Sequence, residues 1–165
     1  MRKDPRSWLN ELEVREGMVV ADLGAGKGLY SALAADLVGT RGHVYAVEPD
    51  PKRAAMILRR AFQSGLNKLE VVQSGVEGMK SIPQSSVDLA FSRNSLHHFC
   101  DMEEAFAQVL RILKSGGRFC IRDVLWAWWT RFGTRRDDIS SLNSGGFKDF
   151  RVSVSGRVFE ATLVK

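Results

Sequence analysis

The decapeptide VVADLGAGKG, Val19 to Gly28, decides how the rest of this chain is read. Met18 to Leu23 is a short apolar run with β-branched residues, the composition of a buried strand, and it carries one acidic residue, Asp22, near its end. Gly24, Ala25, Gly26, Lys27 and Gly28 follow. Glycines at alternate positions tolerate positive φ and let a ligand approach the backbone closely. Leu29, Leu33 and Leu37 then recur at helical spacing, so the loop leads into a helix whose unpaired N–H groups face whatever the loop holds. Strand, glycine loop and helix N-terminus in this order make a nucleotide-binding corner.

Composition bounds what such a corner can belong to. With 165 residues, 44% hydrophobic and 26% charged, the chain is read as one domain, residues 1–165, able to bury a core without staples. No run approaches a membrane span and MRKDPRSW lacks the apolar stretch of a signal peptide, so a cytoplasmic protein with no membrane partner is expected. Cys100 and Cys120 show neither CxxC spacing nor a neighbouring ligand cluster, which argues for reduced thiols and no metal site. The net charge of +5 leaves a nucleic-acid partner open, but the basic residues are scattered, and a solvated, slightly basic surface is the favoured reading.

Outward from the glycine loop, the chain alternates strands and helices. Upstream, Asp4 to Leu12 has helical apolar spacing at Trp8, Leu9 and Leu12, a short N-terminal helix within residues 1–17. Downstream, His43 to Val47 reads as the second strand and ends at Glu48, twenty residues past Gly28, where a carboxylate can accept both hydroxyls of a ribose. Asp50-Pro51 opens a helix whose buried stripe is expected at Ala54, Ile57, Leu58 and Ala61. Lys68 to Gln73 is the third strand, followed by the loop Ser74-Gly75-Val76-Glu77. Ser86 to Ser92 is the fourth, leading into Arg93-Asn94-Ser95-Leu96-His97-His98-Phe99. Asp101 and Glu104 form a capping box for a helix with its stripe at Phe106, Val109, Leu110 and Leu113, and Arg118 to Val124 is the fifth strand. Residues 125–146 form an irregular aromatic segment, whose Trp126, Trp128 and Trp129 suggest a subunit contact and hence a homodimer. Phe147 to Lys165 alternates about Ser155-Gly156, the signal of a terminal hairpin.

The loop reads D-x-G-x-G-x-G, not the dinucleotide pattern G-x-G-x-x-G, whose last position is here Leu29. In this it resembles the first motif of the class I S-adenosylmethionine-dependent methyltransferases, and Leu96-His97-His98, the string LKSGGRFCIRDV and the terminal hairpin extend the resemblance over nearly the whole chain. The resemblance implies an α/β fold: a Rossmann-like three-layer αβα sandwich on a seven-stranded, mostly parallel sheet of order 3-2-1-4-5-7-6 with an antiparallel last strand. Such enzymes usually carry more chain before the first strand, so an open site, or one completed by another subunit, is expected.

Transfer of a methyl group from S-adenosyl-L-methionine to a small-molecule acceptor is the implied activity. Asp22, Gly24, Ala25, Gly26, Gly28 and Glu48 would hold the cofactor, with Arg93 near its methionyl part. Related enzymes commonly have an aspartate on the adenine amino group where Gly75 stands, so backbone groups of Gly75 and Val76 would read the adenine edge. Asn94, His97 and His98 are the candidates for binding the acceptor or removing its proton, since an imidazole takes a proton near neutral pH. The alternatives are a catalytically idle cofactor-binding module, an RNA or protein methyltransferase, and an NAD-dependent oxidoreductase; Leu29 and the hairpin oppose the last.

Overall fold

The structure, a computed structural model, describes residues 4–125, 133–134 and 146–165. Trp126, Trp128 and Trp129, and with them the expected aromatic subunit contact, lie outside the described residues. The elements run α1 (Pro5–Glu11), β1 (Val19–Leu23), α2 (Leu29–Val38), β2 (His43–Val47), α3 (Pro51–Gln63), β3 (Leu69–Val72), β4 (Val87–Arg93), α4 (Met102–Ile112), β5 (Leu113–Val124), β6 (Asp149–Ser155) and β7 (Val158–Val164). Short 3-10 turns at Val76–Gly78 and Leu96–His98 follow β3 and β4.

The strands form one seven-stranded sheet of order β3-β2-β1-β4-β5-β7-β6, the order expected. β1 to β5 pair in parallel, and β7 runs antiparallel to both β5 and β6. Strand periodicity divides the core between the two faces. On one, Trp8 and Leu9 of α1, Ala34 and Val38 of α2, and Ile57 and Ala61 of α3 bury Val20, Val44, Leu89 and Phe91. On the other, Phe106, Val109 and Ile112 of α4 bury Ala21, Leu23, Ala90, Phe119 and Phe159. Helices on both faces are what a mostly parallel, two-sided apolar sheet requires. The chain order reverses between β1 and β4, and the crevice at such a switch point, outside the carboxyl ends of the strands, is where open α/β sheets bind ligands.

Several local expectations need correction. Leu58 is 55% exposed; the buried stripe of α3 is Ala54, Ile57 and Ala61, and at 3.6 residues per turn Leu58 lies about 100° round the helix from Ile57. In α2 the fully covered residues are Ser31, Ala34, Ala35 and Val38, with Leu33 and Leu37 half-buried on the flank. β5 begins at Leu113, earlier than the expected Arg118, because Leu113 already pairs with Val87 before a register shift. A side chain at Gly117 would stand 2.9 Å from the Lys114 carbonyl and 3.1 Å from that of Val87, so this extended passage needs glycine there.

Candidate functional site

The loop after β1 is tied to the end of β2 by backbone and side chain together. The N–H groups of Gly24 and Ala25 both donate to the Val47 carbonyl at 2.9 Å. The next free donor, Gly26 N–H, goes to Glu48 Oε2 at 2.7 Å, while Glu48 Oε1 accepts the Asp50 N–H at 3.0 Å and lies 4.0 Å from the Arg53 guanidinium. Glu48 is buried and, held this way, faces the loop and not solvent. Asp22 is buried as well and accepts a 2.5 Å hydrogen bond from Ser31 Oγ. Its carboxyl is pushed up to about 7, mainly by burial; hydrogen bonds from Ser31 oppose the shift and the charge of Glu48 adds to it.

The glycines of the motif do different work. At Gly24 a Cβ would stand 2.5 Å from the Ser95 side chain, which donates to the Leu23 carbonyl at 2.7 Å and meets Ser92 Oγ at 2.8 Å. Gly28, with φ +73°, caps α2, and a Cβ there would meet Ile57 of α3 at 2.8 Å. Gly26 has φ +58° and nothing within 4 Å of where its Cβ would be. Gly24 and Gly28 thus allow close packing of the protein on itself, whereas Gly26 opens onto free space.

That space is a cavity of about 520 Å³ along the carboxyl ends of the parallel strands, within the range of small-molecule sites. Of the predicted cofactor residues it brings together Asp22, Gly24, Ala25, Gly26, Glu48, Gly75, Val76 and Arg93, and it leaves Gly28 behind the loop. Gly75 and Val76 form the wall after β3, where Glu77 Oε1 accepts the Cys100 N–H at 2.7 Å and the Asp101 N–H at 3.2 Å. Glu77 thereby fastens this wall to the segment after β4. Among the described residues no group of three or more His, Cys, Asp and Glu side chains is placed to hold a metal ion.

Arg93, at the end of β4, lies over two aromatic rings, its guanidinium carbon 4.7 Å from the Tyr30 centroid and 5.6 Å from that of Trp8. Trp8 is buried edge-on against both Tyr30 and Phe91 at 5.6 Å from each. The sequence reading missed Tyr30, which lines the cavity, and the support from Trp8. Tyr30 stands in the first turn after the glycine loop, and that position was the available signal.

The segment after β4 divides its polar residues. Asn94 adopts φ +52°, an uncommon conformation for a residue with a side chain; its N–H donates to the Arg122 carbonyl at 2.9 Å and it lines the cavity. His98 lines the cavity too; burial first, and then the neighbouring His97, pull its pKa below the ordinary imidazole value. His97 turns the other way, with its Nδ1 3.0 Å from both carboxylate oxygens of Asp123 and its side chain 6% exposed. Asp123, fully buried at the end of β5, also accepts the Val124 N–H at 2.7 Å and the Thr134 hydroxyl at 3.1 Å. The two ring centroids are 4.1 Å apart and tilted by 48°, so His98 rests on an imidazole that a buried carboxylate holds in place. Asp123 is a further residue that sequence reading missed, hidden because it reads as one more position of a strand.

Comparison with known proteins places the chain among methyltransferases. A protein from Halobacterium salinarum named arsenite methyltransferase is 29% identical over 109 residues, 66% of this chain and 28% of that one. A protein-L-isoaspartate O-methyltransferase from Methanothrix thermoacetophila is 48% identical over 61 residues, 37% of this chain and 29% of its own. The chain therefore spans less than a third of either curated relative. The crystal structure of a SAM-dependent methyltransferase from Aquifex aeolicus superposes with a TM-score of 0.81 at 24% identity, covering 97% of this chain and 88% of that one, a likeness of fold. The family model for the methyltransferase domain matches residues 21–121, from within β1 to within β5 and across every cavity-forming loop between them, and the chain belongs to that family of S-adenosylmethionine-dependent domains.

Proposed function

We propose that this domain transfers a methyl group from S-adenosylmethionine to a small polar acceptor, with His98 as the residue that meets the acceptor. The observation that carries the reading is one cavity with the Gly26 and Glu48 corner on one wall and Asn94 and His98 on another. The residues suit the cofactor: the empty side of Gly26 leaves room for a ligand against the backbone, and the Glu48 carboxylate, already anchored by two N–H donors, retains lone pairs for ribose hydroxyls. Asp22, neutral or charged near pH 7, is suited to the methionine amine, and Arg93 to its carboxylate. The backbone of Gly75 and Val76 is left for the adenine edge.

The cofactor supplies an activated methyl electrophile on a sulfonium. The protein has to align the acceptor with it, and orientation of this kind is worth about 7 to 11 kcal/mol of barrier. Asn94 orients the acceptor, and a neutral His98 ring nitrogen takes its proton as the new bond to carbon forms and the carbon–sulfur bond breaks. The lowered pKa supports that role, because it keeps the imidazole uncharged near neutral pH. His97 touches Asp123 and not the cavity, and acts through His98. A small acceptor fits the cavity and accords with a relative named for arsenite.

Calorimetry with S-adenosylhomocysteine and with NAD tests the cofactor, and a screen of small nucleophiles with the labelled methyl donor tests the activity. Tight binding of S-adenosylhomocysteine and none of NAD is expected, with turnover on a small nucleophile. Binding without turnover on any small nucleophile, protein or RNA would leave a cofactor-binding module.

A further inference from the structure

The misplaced Leu58 belongs to a second apolar stripe. α3 is anchored to the sheet by Ala54, Ile57 and Ala61, small or single-branched residues that bury the helix without help. Ala55, Leu58 and Phe62, at i, i+3 and i+7, form a separate ridge on the outside, with Leu58 55% and Phe62 90% exposed. Met56, 47% exposed, stands across the outer face, and Leu29, 45% exposed, follows Gly28, which abuts Ile57. Isolated apolar residues on a surface are ordinary, but Leu58 and Phe62, one turn apart on the same ridge, expose adjoining hydrocarbon.

The same helix carries Lys52, Arg53, Arg59 and Arg60 and no acidic residue. Arg53 approaches Glu48 at 4.0 Å; no carboxylate pairs with Lys52, Arg59 or Arg60 among the described residues. By helical position Lys52 and Arg59 border the ridge directly, so cations and exposed hydrocarbon point the same way.

We infer that the outer face of α3 docks on an anionic phospholipid surface, with Phe62 and Leu58 entering the headgroup boundary and Lys52 and Arg59 beside them meeting lipid phosphates. An amphipathic helix lying in the interface has this combination of aromatic and aliphatic insertion with flanking Lys and Arg. That no helix among the described residues is long and apolar enough to cross a membrane has no bearing on it, because a surface-bound helix needs none. A second copy is disfavoured as the occupant: a two-fold contact through this face would set Lys52 and Arg59 against their own equivalents. RNA is disfavoured because the ridge offers one aromatic ring among aliphatic side chains, where single strands are held by successive stacking platforms. The docked helix would also hold the catalytic cavity near the lipid, since Asp50 and Arg53 at its N-terminal end line that cavity.

The full chain should pellet with phosphatidylcholine vesicles containing phosphatidylglycerol and stay in solution with phosphatidylcholine alone, the bound fraction falling as salt is raised. Phe62→Ser and Leu58→Ser together should reduce the pelleted fraction by about tenfold or more, and Lys52→Gln with Arg59→Gln should reduce it by a similar factor at low salt. Both pairs should leave thermal unfolding nearly unchanged and S-adenosylhomocysteine affinity unchanged, because all four residues are exposed and none lines the cavity. No pelleting with the anionic vesicles, or pelleting indifferent to Phe62 and Leu58, overturns the inference. So does retention of an oligoribonucleotide, or a dimer in light scattering, that the serine variants abolish while vesicles are ignored.

Discussion

Glu48 Oε2 accepts the N–H of Gly26 at 2.7 Å across 22 residues of sequence. The contact joins the end of β2 to the turn of the glycine loop, so the two features that sequence separates into different motifs are one structural unit. That bond fixes the loop in its ligand-facing shape, with Glu48 as its brace as well as its expected ribose partner. Glu48→Ala should therefore lower S-adenosylhomocysteine affinity by at least tenfold through both effects, at about 1.5 to 3 kcal/mol for each charge-assisted bond lost. Calorimetry checks it, and a change under threefold would mean that the ribose is held elsewhere.

Gly26 is the position where the cavity meets bare backbone. Its φ of +58° disfavours any side chain, and the space beside it is open, so Gly26→Val adds bulk where a ligand would lie without pushing on protein atoms. S-adenosylhomocysteine binding should disappear while far-ultraviolet circular dichroism still reports the native fold. Gly28→Val should behave oppositely, unfolding at lower temperature because its side chain would strike Ile57. If Gly26→Val binds normally, the cofactor does not pass this turn.

How far the sequence could be read depended on whether the informative property was local. The glycine spacing, the carboxylate at the end of β2 and the hairpin turn are local, and they carry the resemblance that implied the strand order found in the sheet. Leu58 was misread because a hydrophobic residue beside Ile57 differs from it only by a rotation about the helix, and the sheet face to which α3 turns is set by tertiary packing. His97 and His98 are neighbours of one residue type, so nothing in the string separates them; a 3-10 turn anchored by the buried Leu96 sends one to Asp123 and the other to the cavity. Asp123 went unread because its partners lie 26 and 11 residues away.

Asp22 makes stability depend on pH in a defined direction. Its carboxyl is raised from an ordinary value of 3.8 to about 7, so between these limits the native state holds a proton that the unfolded chain has released. Stability falls with rising pH wherever the native state binds more protons; the contribution is fully present below the unfolded value and is lost as pH climbs through the folded one. For Asp22 the loss is on the order of 2 to 4 kcal/mol over that window. Urea unfolding at pH 5 and pH 8 should show a steeper decline for the wild type than for Asp22→Asn, which cannot titrate. Equal declines would mean that Asp22 is already ionised in the native state. A cationic amine in the cavity should also draw this proton off, so binding of S-adenosylmethionine near neutral pH should release protons to the buffer.

The two histidines should separate under mutation because they face different things. His98 lines the cavity and holds a lowered pKa, whereas the His97 ring is turned to a carboxylate that is itself 0% exposed. His98→Ala should cut turnover on an identified acceptor by about 10²-fold or more, the size of a lost general base, with S-adenosylmethionine affinity within a factor of two. Its effect on unfolding should be small, since the ring is on the cavity wall. His97→Ala should instead destabilise the fold by about 1 to 3 kcal/mol, because it removes the imidazole partner of the buried Asp123 carboxylate, which then keeps the Val124 N–H, the Thr134 hydroxyl and the long 3.4 Å contact from the N–H of residue 97. Its loss of turnover should follow from a displaced His98, and the pH–rate profile, which reports the essential base, should shift along the pH axis as well as drop. An acid limb unmoved by His97→Ala would make His97 a structural residue alone. Turnover untouched by His98→Ala would move the search for the acceptor's proton partner to Cys100 in the same cavity.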